Sequence, residues 1–359
     1  MPKTTSLQVA PACGLIETAR LAHRQRERRR GAFVLLFAAL CICTLVLDIA
    51  TGPSMIGLGD VVQTLLNLDE ADSATRAIVM NMRLPIAAMA LVVGASLALG
   101  GAEMQTLLNN PMASPYTLGL AAASGFGAAI TLYFEGFGLP PLIAVPLGGF
   151  VFCMLAAGLL FVLTSMRGAS TYVIVLAGIS LLFLFQAMLS LLQYIASPEL
   201  SQQITFWMFG SLLKAHWYSV ACVTVVLIAC TALLIRDTWK MTALRMGEER
   251  AASLGVNVRW LRLKTLALVS LLTATAIGFV GVIGFIGLVA PHIARMLVGE
   301  DQRYYIPLSM LCGACLLSAS SVLSKIILPG AIFPIGIVTA IIGVPFFFAL
   351  ILQSVRKHA

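Results

Sequence analysis

Ten apolar runs follow one another along this chain, each near the length needed to cross a bilayer, and they leave little else. A membrane span takes roughly 20 apolar residues at about 1.5 Å of rise each. By that measure spans are expected near 32–50, 84–107, 117–136, 141–165, 172–195, 217–235, 264–283, 284–298, 305–324 and 335–353. The hardest division lies inside 264–298, where one long apolar run must become an outgoing and a returning helix. Charged residues make up 11% of the 359 positions, against about 25% in a soluble domain, and no stretch reads as a separate soluble domain. The fold class expected is an all-α polytopic membrane protein with about ten transmembrane helices.

An even number of spans puts both termini on one side, and the basic residues say which. Nineteen of the 23 lysines and arginines fall in the segments on the side of the termini, leaving Arg76, Arg83, Lys214 and Lys325 on the other. Positive residues stay inside, so both termini are expected in the cytoplasm. The resulting division is a basic tail over 1–31, a transmembrane domain over 32–354 and a short second tail over 355–359. The net charge of +8 is mostly this orientation signal. No nucleic-acid partner is expected for Arg24–Arg30, and membrane lipid is the partner of the apolar surface. Arg29-Arg30 before an apolar run resembles an export signal, but a full span and nine more follow, so a retained first helix fits better.

Several chemistries find no support in the residues. A P-loop needs a Gly-Lys-Ser/Thr whose lysine reaches the phosphates, and no lysine here directly follows a glycine. Neither a catalytic residue, a resident cofactor nor a metal site is expected. Of four histidines only His292 is near membrane depth, too few for a ligand cluster. Seven of the eight cysteines fall inside spans. The pair Cys312 and Cys315 has CxxC spacing but no companion ligands, so it reads as small buried packing. An ion-coupled secondary transporter would place ionisable residues at the midplane. Asp48 and Glu135 sit near span ends, and Glu103, on a helix with Gln105, could line a pathway. A structural or gating role fits Glu103 better than proton relay.

Between Arg236 and Lys264 a polar stretch interrupts the spans. Its centre reads as a short amphipathic helix, about 242–255, with Leu244, Ala251, Ala252 and Leu254 apolar, Glu248, Glu249 and Arg250 charged, and Gly255 closing it. A helix of that kind on one membrane face suits a protein partner. Elsewhere, Val61, Val62, Leu65 and Leu66 give an interfacial helix in the loop 52–83. Residues 204–212 suit a re-entrant or partial helix. Small residues crowd the second and third spans, and Gly278, Gly281, Gly284 and Gly287 recur every third position, which lets helix backbones approach closely in lipid.

Four stretches together resemble one known family, the FecCD-type permease subunits of ABC importers for iron chelates and vitamin B12. They are Arg83-Leu-Pro85 running into 94–101, Gln105 through Pro115, Met246 through Val256, and Gly284 through Arg295 with Pro334 through Pro345. The resemblance implies a type II ABC importer permease fold and no chemistry of the chain's own. It implies assembly with a second copy or a close relative, two cytoplasmic ATP-binding subunits and an extracytoplasmic substrate-binding protein. The coupling contact would be made by Leu244, Gly247, Glu248, Glu249, Arg250, Ala251, Leu254 and Gly255. The cytoplasmic gate would match Asn110, Pro111 and Met112 with Ser170 and Thr171, and binding-protein docking would match Arg83 and Lys325. The cargo implied is a ferric siderophore, with haem, cobalamin and oxyanions as alternatives. The chain departs from the family pattern at Ile86 and Ile332-Phe333-Pro334, which thins the expected docking surface, and at Arg250.

Overall fold

A computed structural model describes residues 12–52, 56–66, 73–165, 171–327 and 332–358. Among them are fifteen α-helices and no strand: α1 (Ala12–Ala50), α2 (Leu58–Leu65), α3 (Ser73–Ile78), α4 (Leu84–Leu107), α5 (Leu120–Tyr133), α6 (Pro141–Ser165), α7 (Thr171–Ile195), α8 (Pro198–Met208), α9 (Trp217–Ile235), α10 (Thr238–Leu244), α11 (Glu248–Ser253), α12 (Val258–Val280), α13 (Ile286–Val298), α14 (Gln302–Ile326) and α15 (Ile335–His358). Ten of them coincide with the ten expected spans. Seven are long and apolar enough to cross a membrane, and α5, α13 and the apolar part of α15 are shorter.

Burial sorts these helices into centre and periphery. In α4 and α12, 72% of the most apolar stretch is buried inside the chain, against 17% in α1. The centre is therefore α4, α12 and α14, and the outer faces of α1, α6 and α7 are left for lipid or another chain. Glycines make the central contacts possible. A Cβ on Gly101 would lie 1.8 Å from the Gly287 carbonyl oxygen, and one on Gly94 would lie 2.3 Å from that of Gly313. Only bare backbone fits at these crossings, which join α4 to α13 and to α14.

Two irregularities interrupt the helices. The helix entering α4 starts at Ser73 and passes through a π-helical turn at Val79–Arg83, where the amide of Leu84 reaches back to the Val79 carbonyl. Pro85, with no amide hydrogen, follows at once. Between α12 and α13 the chain leaves the helix at Gly281 (φ 78°) and re-enters after Phe285 (φ 66°). Ser211 donates its amide to the Val280 carbonyl at 2.7 Å, so the segment after α8 closes over this break. That settles the division of 264–298 near the expected position. The segment 204–212 is a partial helix followed by a tight turn at Gly210 (φ 72°).

Candidate functional site at one end of the bundle

The polar stretch after α9 is two short helices, which corrects the single helix expected over 242–255. Gly247, at φ 109°, stands where a side chain would be strained, so α10 stops at Leu244 and α11 starts at Glu248. The far end is closed as expected. Gly255 (φ 83°) donates to the Ala252 carbonyl at 2.9 Å while Val256 reaches that of Ala251 at 3.0 Å, the paired bonds of a Schellman cap.

Burial divides the predicted coupling residues into two groups. Leu244 and Ala251 belong to the chain's own core with Met241 and Ala243, so they anchor the segment and do not face outward. Gly247, Glu248, Glu249, Arg250, Leu254 and Gly255 are exposed, along with Met246 and Ala252. A projecting ledge results, with Met246 and Leu254 as apolar points among the charges.

Ion pairs hold the ledge to the bundle. Glu248 on α11 pairs with Arg262 on α12. Asp237, at the start of α10, pairs with Lys240 at 2.6 Å and with Lys264 on α12. Burial pushes the Asp237 carboxyl up, but hydrogen bonds and charge from Lys240 and Lys264 outweigh it and leave its pKa below the ordinary value. A depressed carboxyl pKa adds stability above the unfolded-state value that is lost as pH falls through the folded one. This anchor is thus complete at neutral pH and weakens only in acid.

A second set of contacts runs inward from α10. Arg245 pairs with Glu300, and the Nε of Arg295 lies 3.8 Å from the same carboxylate. Arg295 then donates to Gln105 Oε1 at 3.0 Å and to the Tyr305 hydroxyl at 3.1 Å. Gln105 donates to the Leu288 carbonyl at 3.3 Å. The ledge is therefore wired through two arginines and a glutamate to α4, α13 and α14. Gln105 and Arg295 lie in motifs visible in the sequence, but Glu300 and Tyr305 carried no local signal of their own.

The predicted gate residues Asn110, Pro111 and Met112 lie at the same end, just past α4. Asn110 accepts the Met112 amide on its side-chain oxygen at 2.9 Å, an Asx turn that leaves Pro111 and Met112 exposed. Ser170 lies outside the described residues, and Thr171 opens α7. Glu103 is fully buried in α4.

At the opposite end lie the two expected docking cations, and within this chain both reach the end of α1. Arg83 is 7% exposed and donates to the carbonyls of Ile49 at 2.8 Å and Ala50 at 3.0 Å. Lys325 pairs with Asp48 at 2.6 Å and donates to the Asp48 carbonyl at 2.8 Å. Ser321 adds a bond to the same carboxylate at 2.7 Å. The last turn of α1 offers carbonyls without a partner inside the helix and the negative end of a helix dipole, and both cations donate to it. Lys325→Met is expected to leave Asp48 buried without its charge partner, costing roughly 3–5 kcal/mol. Adding Asp48→Asn should recover most of the loss in thermal unfolding of the purified protein.

Among the described residues no three of His, Cys, Asp and Glu come together as a metal site. With ten apolar helices and a ledge of short helices on the page, comparison with known sequences decides the family. Residues 40–353 match the FecCD transport family. The chain belongs to that family. This FecCD-family permease is 32% identical over 336 residues to an ABC transporter permease protein of Methanocaldococcus jannaschii, covering 90% of this chain and 96% of that one. It is 34% identical over 300 residues to the hemin transport system permease protein HmuU of Yersinia pestis, covering 83% and 89%. Further relatives are named as import permeases for molybdate, vitamin B12 and Fe(3+)-citrate. A solved inward-facing conformation of a metal-chelate type ABC transporter superposes with a TM-score of 0.80 at 29% identity, over 90% of this chain and 99% of that one. The protein is thus a multi-pass permease subunit of an ABC importer in the cytoplasmic membrane. It translocates, and ATP hydrolysis belongs to a separate subunit.

Proposed function

We propose that this permease imports an iron chelate of the ferric siderophore class. The reading rests on relatives named for hemin and Fe(3+)-citrate and on likeness to a metal-chelate type transporter. The bundle end carrying the ledge faces the cytoplasm, since Arg30, Arg245, Arg262, Lys264 and Arg295 gather there. The exposed residues of α11 meet a cytoplasmic ATP-binding subunit, one for each of two permease copies or of a pair of close relatives. The Asn110–Met112 turn, with Ser170 and Thr171, forms the inner gate. Closure of the ATP-binding subunits displaces the ledge, and the Arg245–Glu300–Arg295 contacts pass that displacement to α4, α13 and α14. An extracytoplasmic binding protein delivers cargo to the opposite end. Arg83 and Lys325, at that end, are the residues proposed to meet it.

The test is uptake of radiolabelled iron chelates by iron-starved cells that lack this chain, with and without the chain restored. Loss and rescue for one ferric siderophore is the expected result. Loss and rescue for haem alone would replace the siderophore by haem, the cargo named for the Yersinia relative. Normal iron uptake in cells with no second iron system would overturn the iron assignment and point to cobalamin or an oxyanion.

A further inference from the structure

Two thiols that are 274 residues apart in sequence meet where α1 packs against α14. The sulfurs of Cys41 on α1 and Cys315 on α14 lie 3.1 Å apart. Cys315 was visible in the sequence as half of a CxxC, yet its partner in space is Cys41. Each thiol also reaches a carbonyl of the other's helix: Cys41 that of Leu311 at 3.4 Å and Cys315 that of Phe37 at 3.5 Å. Both sulfur protons can thus be held by carbonyls while the sulfurs face each other, roughly 1 Å beyond a covalent S–S bond. Both residues are buried.

The surroundings keep this pair in register. Toward one end Arg30 pairs with Asp301 at 3.1 Å, and toward the other Asp48 pairs with Lys325 at 2.6 Å. Helices α1 and α14 are therefore clamped on both sides of the thiols, and closing an S–S bond needs only a small local adjustment. The competing cysteines are placed differently. Cys43 is exposed on the outer face of α1, and Cys312 lies one turn earlier on α14.

We propose that Cys41 and Cys315 form an oxidisable dithiol that closes to an interhelical disulfide when oxidised by an apolar hydroperoxide, such as a peroxidised lipid. One sulfur attacks the peroxide, the O–O bond breaks, and a sulfenic acid and an alcohol result. The second sulfur then attacks the first; the S–S bond forms, the S–O bond breaks, and water leaves. Two thiols are oxidised by two electrons, the peroxide is reduced by two, and the thiol protons end in the alcohol and the water. Access explains the class of oxidant. A buried site inside apolar helices admits a membrane-soluble peroxide, while charged glutathione is kept from reducing the product.

The experiment treats the full chain in lipid nanodiscs with cumene hydroperoxide. Free thiols are then blocked with N-ethylmaleimide under denaturing conditions and the peptides are mapped by mass. A link between the Cys41 and Cys315 peptides is expected, removed by dithiothreitol, with two of the eight cysteines lost to the maleimide. Cys41→Ser and Cys315→Ser should each abolish the link, and Cys43→Ser should leave it unchanged. Wild-type elution of all three variants from size exclusion establishes their folding. A link from Cys41 to Cys312, a link between copies through Cys43, or no link once the peroxide is consumed would each overturn the proposal.

Discussion

Gly101→Leu is expected to abolish recovery of folded protein. A side chain there begins 1.8 Å from the Gly287 carbonyl oxygen, which is backbone and cannot rotate away. Helices α4 and α13 would have to separate, and α4 is also the helix that packs most extensively on α14. The cost exceeds the ~1–3 kcal/mol typical of overpacking a core, because backbone must move. Gly158→Leu is the matched control: it also lies in an apolar helix, but nothing lies within 4 Å of the position its Cβ would take. Fluorescence-detected size exclusion of detergent extracts reads both. A monodisperse peak for Gly158→Leu and aggregate or no peak for Gly101→Leu is the expected pair of results. A monodisperse Gly101→Leu protein would mean that the α4–α13 crossing is not a close backbone contact.

The contrast between these two glycines shows what a sequence can and cannot carry. Periodic small residues announce that helices approach closely, but not which glycine faces a backbone and which faces lipid. The spans themselves were legible, because each must bury its backbone in its own hydrogen bonds and so keeps an uninterrupted apolar run. Their ends were less so. The third was expected to begin at 117, yet α5 begins at Leu120, since Gly119 at φ 78° belongs to the turn after α4. The ledge was recognised from its polarity, but its break at Gly247 depends on a backbone angle. Arg83 and Lys325 show the sharper limit. A cation at a span edge does not name its partners within the chain, and here they are the end of α1 and the carboxylate of Asp48. Cys41 and Cys315 are further beyond reach, because only the packing of α1 on α14 makes them neighbours.

Reversing the charge of Glu249 should separate this permease from its ATPase without unfolding it. Glu249 is exposed on α11, while the segment is anchored by other residues: Ala251 and Leu244 in the core, Glu248 on Arg262, Asp237 on two lysines. Glu249→Arg therefore alters the outward surface and leaves the anchors in place. Loss of a charged contact buried at an interface costs about 2–5 kcal/mol, which is roughly 30-fold or more in affinity. Normal membrane levels with lost copurification of the ATP-binding subunit, and lost uptake, are expected. Arg295→Met should behave differently. It removes the side chain that reaches Glu300, Gln105 and Tyr305 but touches nothing on the ledge, so the ATP-binding subunit should still copurify and hydrolyse ATP while uptake fails. Binding lost in one variant and transport lost with binding retained in the other would separate attachment from transmission along this route. Unaltered copurification and uptake in Glu249→Arg would remove α11 from the contact, and full uptake in Arg295→Met would mean that the stroke reaches α4 by another path.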